Sequence, residues 1–588
     1  MTRAEIEREL ELLPKGSIGF KRINGKDYTY HRWYENGKRK EKYVSPEAVE
    51  KLRIDLKKRK VLEGLFKEIQ LSEKTPSYSP YPSYEFHSAV TIGNVLSTFT
   101  DPVKDWKRRD SFNDIQKYIY GNTDSRVLIL FGLRRTGKTT LIRQTIASMS
   151  EEDRNKTAFI QIGKATTMAD VNKDLKYLSS RGYKYIFIDE VTMLDDFIEG
   201  GALFSDIFAA QGMKIVLSGT DSLGFLFAED EQLYDRTIMI HTTFIPYHEF
   251  SVILGIKGID EYIKYGGTLS LSGEEYNSVF SSYTRTDEYI DSAIAKNIQH
   301  SLKNYQDGGH FRLLEDLYDK NELTSAINRV VEDINHRFTL EVLTRDFKSN
   351  DLAISRRNLR NDRNNPTDIL DNIDITLITE RLRNILEIRN KDEMSVSLTN
   401  AHATEIKEYL KLLDLIYEIP VINTAFPDKK KARTIITQPG LRYAQSDALI
   451  ESLMQDSMMD NISISEKTYI ESRIRNEIKG RMTEDIVLLE TALSFPEKKV
   501  FTLQFAIGEF DMVIFNPEDI SCEIFEIKHS DKIDENQYRH LVDKQKCSDT
   551  EFRYGKIKGK YVLYRGNSTK AGEIQYLNVE KYLLNLRR

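Results

Sequence analysis

The chain has 588 residues, of which 40% are hydrophobic and 30% charged, the balance of a soluble globular protein. At roughly 100–200 residues per domain it should hold about three or four domains. Its net charge of −6 excludes a polycation, so any nucleic-acid contact must come from a local patch, and its two cysteines, Cys522 and Cys547, exclude a disulfide scaffold or an all-cysteine zinc site.

From the N-terminus, residues 1–70 read as a small β-meander plus helix. Asn24-Gly25 and Asn36-Gly37 are hairpin turn signals between three strand-like runs, and Ser45-Pro46 starts a helix with a cap and a proline in its first turn. Between Lys15 and Lys60 there are 15 Lys/Arg against 6 Asp/Glu, interleaved with Tyr28, Tyr30, Trp33 and Tyr43. A basic surface with aromatics suits phosphate contact and base stacking, and equally suits a small aromatic core under a solvated face. The first residues carry no signal-peptide apolar run, so a cytoplasmic protein is expected. Residues 71–100, with Thr75-Pro76-Ser77-Tyr78-Ser79-Pro80, read as a linker.

From 101 to 250 short apolar runs alternate with helical stretches, the pattern of a buried parallel sheet in an α/β fold. After the strand Val127–Phe131 comes Gly132-Leu133-Arg134-Arg135-Thr136-Gly137-Lys138-Thr139, a G-x-x-x-x-G-K-[ST] loop running into a helix that includes Thr140. Its glycines let backbone N–H groups curl around phosphate oxygens, Lys138 reaches the β- and γ-phosphates, and the Thr139 hydroxyl binds Mg²⁺. About 50 residues on, the apolar strand Tyr185–Ile188 ends in Asp189-Glu190. The first carboxylate supports Mg²⁺ and the second is placed to polarise an attacking water. Ser218 or Thr220, after the strand Lys214–Leu217, suits a sensor of the γ-phosphate, and Arg236 is a candidate arginine finger. ATP and Mg²⁺ are therefore the expected ligands.

Residues 251–395 read as a helical lid, 396–460 as winged-helix-like, and 461–588 as a return to mixed α/β structure. In the last part Gly508–Phe515 and Ser521–His529 form a predicted hairpin. Residues two apart in a strand share a face, so Glu526 and Lys528 point together toward Asp511. Two carboxylates and one ammonium suit a Mg²⁺-dependent phosphodiester site, with Asp511 and Glu526 as metal ligands. Glu484, in a helical Gly480-x-x-x-Glu484 run, is the candidate that completes it.

The Arg134-Arg135 phosphate loop, the Ile188-Asp189-Glu190-Val191 strand end and the Arg236…Pro246…Glu249-Phe250 ending resemble the archaeal-type AAA+ P-loop ATPases. These are similar to signalling ATPases with a winged-helix lid. The resemblance implies a P-loop NTPase sheet, that lid, and a C-terminal restriction-endonuclease-like domain of the PD-(D/E)XK type. Thr434–Arg442 looks like the family's D-x-G-L segment, with Gln438 where Asp is common. Three functions stay open: an ATP-driven nuclease or nucleic-acid remodeller, with DNA favoured over RNA as the partner, a nucleotide-dependent switch, and a DNA-binding scaffold with an inert nuclease fold. A homo-oligomer is compatible with each.

Overall fold

The computed structural model describes residues 10, 13–23, 26–35, 38–45, 48–49, 51–59, 84–220, 225, 233, 235–268, 311–320, 322–346, 398–426, 431–455, 460 and 464–586. They fall into two compact units, Met1–Glu85 and Phe86–Arg588. The first contains the expected antiparallel meander, β1 (Ser17–Ile23), β2 (Lys26–Glu35) and β3 (Lys38–Tyr43). β1 and β2 pair from Ile23↔Lys26 and β2 and β3 from Glu35↔Lys38, while the two Asn-Gly pairs lie outside the described residues. Tyr30 packs edge-on against Tyr43 and His31 stacks on Trp33, so these aromatics pair with one another on the meander. The Thr75–Pro80 strap lies outside the described residues.

In the second unit, β4 (Ala89–Thr91), β5 (Val127–Phe131), β6 (Thr157–Gln161), β7 (Tyr185–Asp189), β8 (Lys214–Gly219) and β9 (Thr237–His241) form a sheet of order β4-β6-β7-β8-β5-β9. All neighbours are parallel except β4, which pairs antiparallel with β6. β5 is buried along its whole length because both faces are covered. Val127, Ile129 and Phe131 join one core, and Leu128 and Leu130 the other. The linker expected over 71–100 therefore ends earlier. β4 and α1 (Gly93–Thr100) are integral to this unit, and buried Asp174 accepts the His87 and Ser88 backbone N–H groups at 3.0 and 2.8 Å to hold the approach to β4.

The chain continues through α2 (Ser111–Tyr120), α3 (Lys138–Ser148) and α4 (Met168–Ser180) around this sheet, then α5 (Tyr247–Leu254) and α6 (Ile259–Tyr265). Helices α7 (Arg312–Asp319) and α8 (Leu323–Asp346) follow, with α9 (Asn400–Leu412), β10 (Ile416–Asn423) and β11 (Lys431–Ile436). Over the stretch expected to be winged-helix-like, a helix is followed by an antiparallel hairpin, but the hairpin does not stand alone. β10 pairs in parallel with β12 (Lys499–Gln504), making one eight-stranded sheet of order β11-β10-β12-β13-β14-β15-β17-β16. Its remaining strands are β13 (Glu509–Asn516), β14 (Ser521–Ile527), β15 (Lys556–Tyr564), β16 (Thr569–Ala571) and β17 (Ile574–Asn578). The boundary expected at 460 thus falls inside a sheet. Helices α10 (Pro439–Met454), α11 (Ile464–Ser494), α12 (Lys544–Tyr554) and α13 (Val579–Asn585) complete the unit.

A second boundary also moves. Phe244, Tyr247, Phe250, Ile259 and Tyr262 share one core with Ile474, Met482, Met512 and Phe525, so α5 and α6 pack into the C-terminal sheet and α11. Among the described residues no helix is long and apolar enough to cross a membrane.

Candidate functional sites

The loop after β5 is shaped by backbone geometry. Gly132, Arg135 and Gly137 have φ of 136°, 66° and 88°, so the chain turns through left-handed conformations into the N-terminus of α3. A Cβ at Gly132 would lie 2.3 Å from the Thr242 carbonyl oxygen, so the close approach of β9 requires glycine there. Lys138 is buried and its Nζ donates to the carbonyls of Gly132 and Leu133 at 2.7 and 2.8 Å. Burial pushes its ammonium down to about 8, partly offset by Glu190 and Asp189.

Asp189 and Glu190 end β7 beside the loop. The Thr139 hydroxyl donates to Asp189 Oδ2 at 2.8 Å and the Ser218 hydroxyl donates to Oδ1. Thr220 Oγ1 donates to Glu190 Oε2 at 3.2 Å. Glu190 has φ of 58°, a strained backbone for a non-glycine residue, of the kind held at functional sites. All-oxygen donors at Thr139 and Asp189 fit a hard cation such as Mg²⁺. The structure thus brings together every residue expected at this site except Arg236. That side chain is half exposed, ion-paired with Asp206 at 3.3 Å, and absent from the residues lining the cleft. Arg236, just before β9, thus lies outside the lining of this cleft.

The cleft has a volume of about 730 Å³. Arg134, Arg135, Thr140, Lys138 and Glu190 line one part, and Trp106, Ile253, Leu254 and Ile256 form an apolar part suited to a flat ring. The apolar wall was not legible in the sequence, and neither was Arg109. Arg109 is buried, its Nε on Glu249 Oε2 and its Nη1 on the Thr136 carbonyl, both at 2.7 Å. Glu249 Oε1 also accepts the Asp110 N–H at 2.8 Å. A buried, fully paired arginine therefore ties the phosphate loop to α5. The partners are 140 residues apart, and the run Lys107-Arg108-Arg109-Asp110 reads as a solvated stretch.

The C-terminal candidates also converge. Lys528 Nζ lies 2.9 Å from Asp511 Oδ2 and 2.7 Å from Glu526 Oε2, and the Ile527 N–H donates to Asp511 Oδ2 at 2.8 Å. Alternation along β13 and β14 explains this: Met512, Ile514, Phe525 and Ile527 pack toward α11, while Asp511 and Glu526 are on the opposite alternation with Val513 and Ile524. Glu484 reaches the same cavity of about 710 Å³ from α11, where Arg481 Nη1 and Arg433 Nη1 donate to it at 2.7 and 3.1 Å. Burial and the adjacent Asp511 push Glu526 well above the ordinary carboxyl range. Burial would raise Asp511 as well, but Lys528 and the Ile527 N–H hold it down. Burial alone would lower Lys528; the three carboxylates outweigh it and hold its ammonium charged. Glu526 Oε1 is buried with no N–H donor aimed at it, an oxygen that a proton or a cation must satisfy, and so a fit for a divalent metal.

Residues 124–251 match a family described as an AAA domain. That match and the geometry of the phosphate loop support an AAA+ P-loop domain over this part of the chain. Residues 2–54 match a domain of unknown function (DUF6788). No curated protein matches the chain. Among solved structures, the Aeropyrum pernix ORC1 protein in complex with DNA is 14% identical, covering 60% of this chain and 96% of its own, with a TM-score of 0.23. Katanin, in a structure of its self-assembly, is 14% identical over 41% of this chain and 87% of its own, at 0.20. AMPPCP-bound DnaA from Aquifex aeolicus is 12% identical over 50% and 91%, at 0.18. TM-scores this low carry no argument about function. The family match and the geometry of the AAA+ cleft together support ATP binding and hydrolysis there.

Proposed function

We propose that this chain is an ATP-hydrolysing AAA+ protein whose nucleotide state controls a Mg²⁺-dependent site in the C-terminal unit that cleaves nucleic acid, DNA in preference to RNA. The observation that carries the cleavage reading is the convergence of Asp511, Glu526, Lys528 and Glu484 on one cavity. The restriction-endonuclease-like fold and the basic N-terminal meander as a nucleic-acid contact belong to this proposal.

In the AAA+ cleft, Lys138 exchanges the Gly132 and Leu133 carbonyls for phosphate oxygens. Glu190, oriented by Thr220, accepts a proton from the attacking water. Ser218 and Thr139 hold the Asp189 carboxylate in place. Mg²⁺, held by Thr139 and Asp189, would supply charge neutralisation at the phosphates. At the C-terminal site, Asp511 and Glu526 would hold Mg²⁺, which would polarise the scissile phosphate. Lys528 would then donate to the pentavalent phosphate oxygen or orient water, and Arg481 and Arg433 hold Glu484 at the site, opposing the burial that pushes its carboxyl above the ordinary range.

Physical continuity supports control by nucleotide. The end of α5 lines the cleft, and the next helix carries Asp260 to within 3.0 Å of His529, 3.0 Å of Arg565 and 3.3 Å of Lys479. His529 follows Lys528 directly, and Arg565 lines the C-terminal cavity.

The test is to incubate the full chain with ATP, Mg²⁺ and plasmid, single-stranded DNA or RNA, beside Lys138→Ala and Lys528→Ala. Cleavage lost in Lys528→Ala, with ATP hydrolysis kept, is the expected result. Equal cleavage by that variant and the wild type would sink the proposed site. A second reading, a nucleotide-dependent switch with an inert C-terminal site, draws on Lys528 already neutralising both carboxylates; it predicts ATP hydrolysis without cleavage of any substrate.

A further inference from the structure

Hydrolysis of ATP builds negative charge on the oxygens of the transferred group, and an arginine facing it contributes a large share of the rate. Four arginines come into question. Arg236 is committed to Asp206 and does not line the cleft. Arg109 lines it but is fixed by Glu249 and the Thr136 carbonyl. Arg135 also lines the cleft but already has an interaction of its own. Arg134 remains. Its side chain is exposed and lines the cleft, and among the described residues no carboxylate or carbonyl holds it.

Arg134 is also in the right place. The Lys138 ammonium sits on the carbonyls of Gly132 and Leu133, and Leu133 is bonded to Arg134. One residue step is about 3.8 Å, well within the reach of an arginine side chain. The two charges sense each other: Arg134 is among the groups that push the Lys138 ammonium down, after burial. Two cations held close together and facing an open cleft repel each other until an anion lies between them.

We propose that Arg134 is a catalytic residue acting on its own chain's nucleotide: its guanidinium contacts the γ-phosphate oxygens during hydrolysis, so one chain turns over ATP without an arginine from a neighbour. This rests on the ATP-hydrolysing reading of the cleft. In the step, the water oxygen bonds to the γ-phosphorus and the bond from that phosphorus to the β–γ bridging oxygen breaks. Glu190 takes a water proton and returns it to the product phosphate. The products are ADP and inorganic phosphate, and Arg134 exchanges no proton.

The experiment measures fluorescent-ATP binding and steady-state hydrolysis for wild type, Arg134→Ala and Arg134→Lys, from nanomolar to micromolar chain. Arg134→Ala should bind nucleotide within a few-fold of wild type while kcat falls by about 10³-fold, the low end for such an arginine. Arg134→Lys should recover part of the rate, because it restores the charge without the planar fork. Wild-type turnover per chain should not change with concentration. Mixing Arg134→Ala with Lys138→Ala should restore nothing, since neither chain then has a complete site. The proposal falls if Arg134→Ala turns over like wild type, or if the mixture regains activity and wild-type turnover per chain climbs with concentration. A wild type that binds ATP but does not hydrolyse it refutes the hydrolytic reading itself, an outcome distinct from normal hydrolysis by Arg134→Ala.

Discussion

Glu249→Ala tests whether the buried pair holds the AAA+ cleft together. The Arg109 and Glu249 side chains are 8% and 5% exposed and bonded at 2.7 Å, and Glu249 also accepts the Asp110 N–H. Removing the carboxylate leaves a guanidinium buried without its counter-charge, which costs about 3–5 kcal/mol. At about 1.4 kcal/mol per decade this is roughly a 10²–10⁴-fold rise in the unfolding constant of this part of the chain. Trp33 and Trp106 are the chain's two tryptophans, and Trp106 lines the cleft. In a Trp33→Phe background its fluorescence therefore follows this unit through a urea titration. The double variant Arg109→Met/Glu249→Leu should lose less than the sum of the single losses, by about 0.5–3 kcal/mol, because no charge is left stranded. A Glu249→Ala chain within about 0.5 kcal/mol of its background, in the range of an ordinary surface substitution, would refute the reasoning.

Gly132→Ala should abolish nucleotide binding and destabilise the unit by at least about 1–3 kcal/mol, since the new Cβ would meet the Thr242 carbonyl at 2.3 Å with φ at 136°; binding and thermal unfolding together check it. Burial pushes the Cys522 thiol up to about 12, with Glu551 and Glu523 adding to it, so the native chain should react with a thiol reagent at pH 8 at least about 10²-fold more slowly at this position than after denaturation. Asp260 is held below the ordinary carboxylate range by its hydrogen bond to His529, burial opposing, with the His529, Lys479 and Arg565 charges adding to the effect. A depressed acid stabilises fully above its unfolded value near 3.8 and loses that contribution as pH falls through its folded value. Asp260→Asn should therefore be less stable at pH 7 and should lose less stability than wild type on acidification below pH 4, measured by urea midpoints.

The sequence carried the two sites because their signals are local. Eight consecutive residues define the phosphate loop, and strand alternation alone predicts that Glu526 and Lys528 face Asp511 across one hairpin. Ser218 and Thr220 were legible for the same reason, as polar residues at the end of an apolar strand, and they reach Asp189 and Glu190 respectively. What local patterning cannot report is which distant partner a residue meets. Arg109 and Glu249 sit in polar surroundings along the chain, and only the fold makes them a buried pair. The hairpin of 416–436 has the pattern of a free wing, and only its parallel pairing with Lys499–Gln504 reveals it as part of a larger sheet.

The same limitation hid the join between the two sites. Residues 244–265 form two short helices whose apolar residues fit either an ATPase flank or a lid, and periodicity cannot name the surface they bury against. In the structure they do both. Ile253 and Leu254 line the cleft, while Tyr247 and Phe250 pack into the core of the C-terminal sheet, and the Tyr247 N–H donates to Glu490 of the long helix at 2.8 Å. That helix also carries Glu484, less than two turns away. Protein cores are close-packed and shift between discrete arrangements rather than deforming smoothly. A nucleotide that displaces the wall formed by Ile253 and Leu254 therefore acts on a core that also contains Met482 and Met512, the neighbours in sequence of Thr483-Glu484 and Asp511.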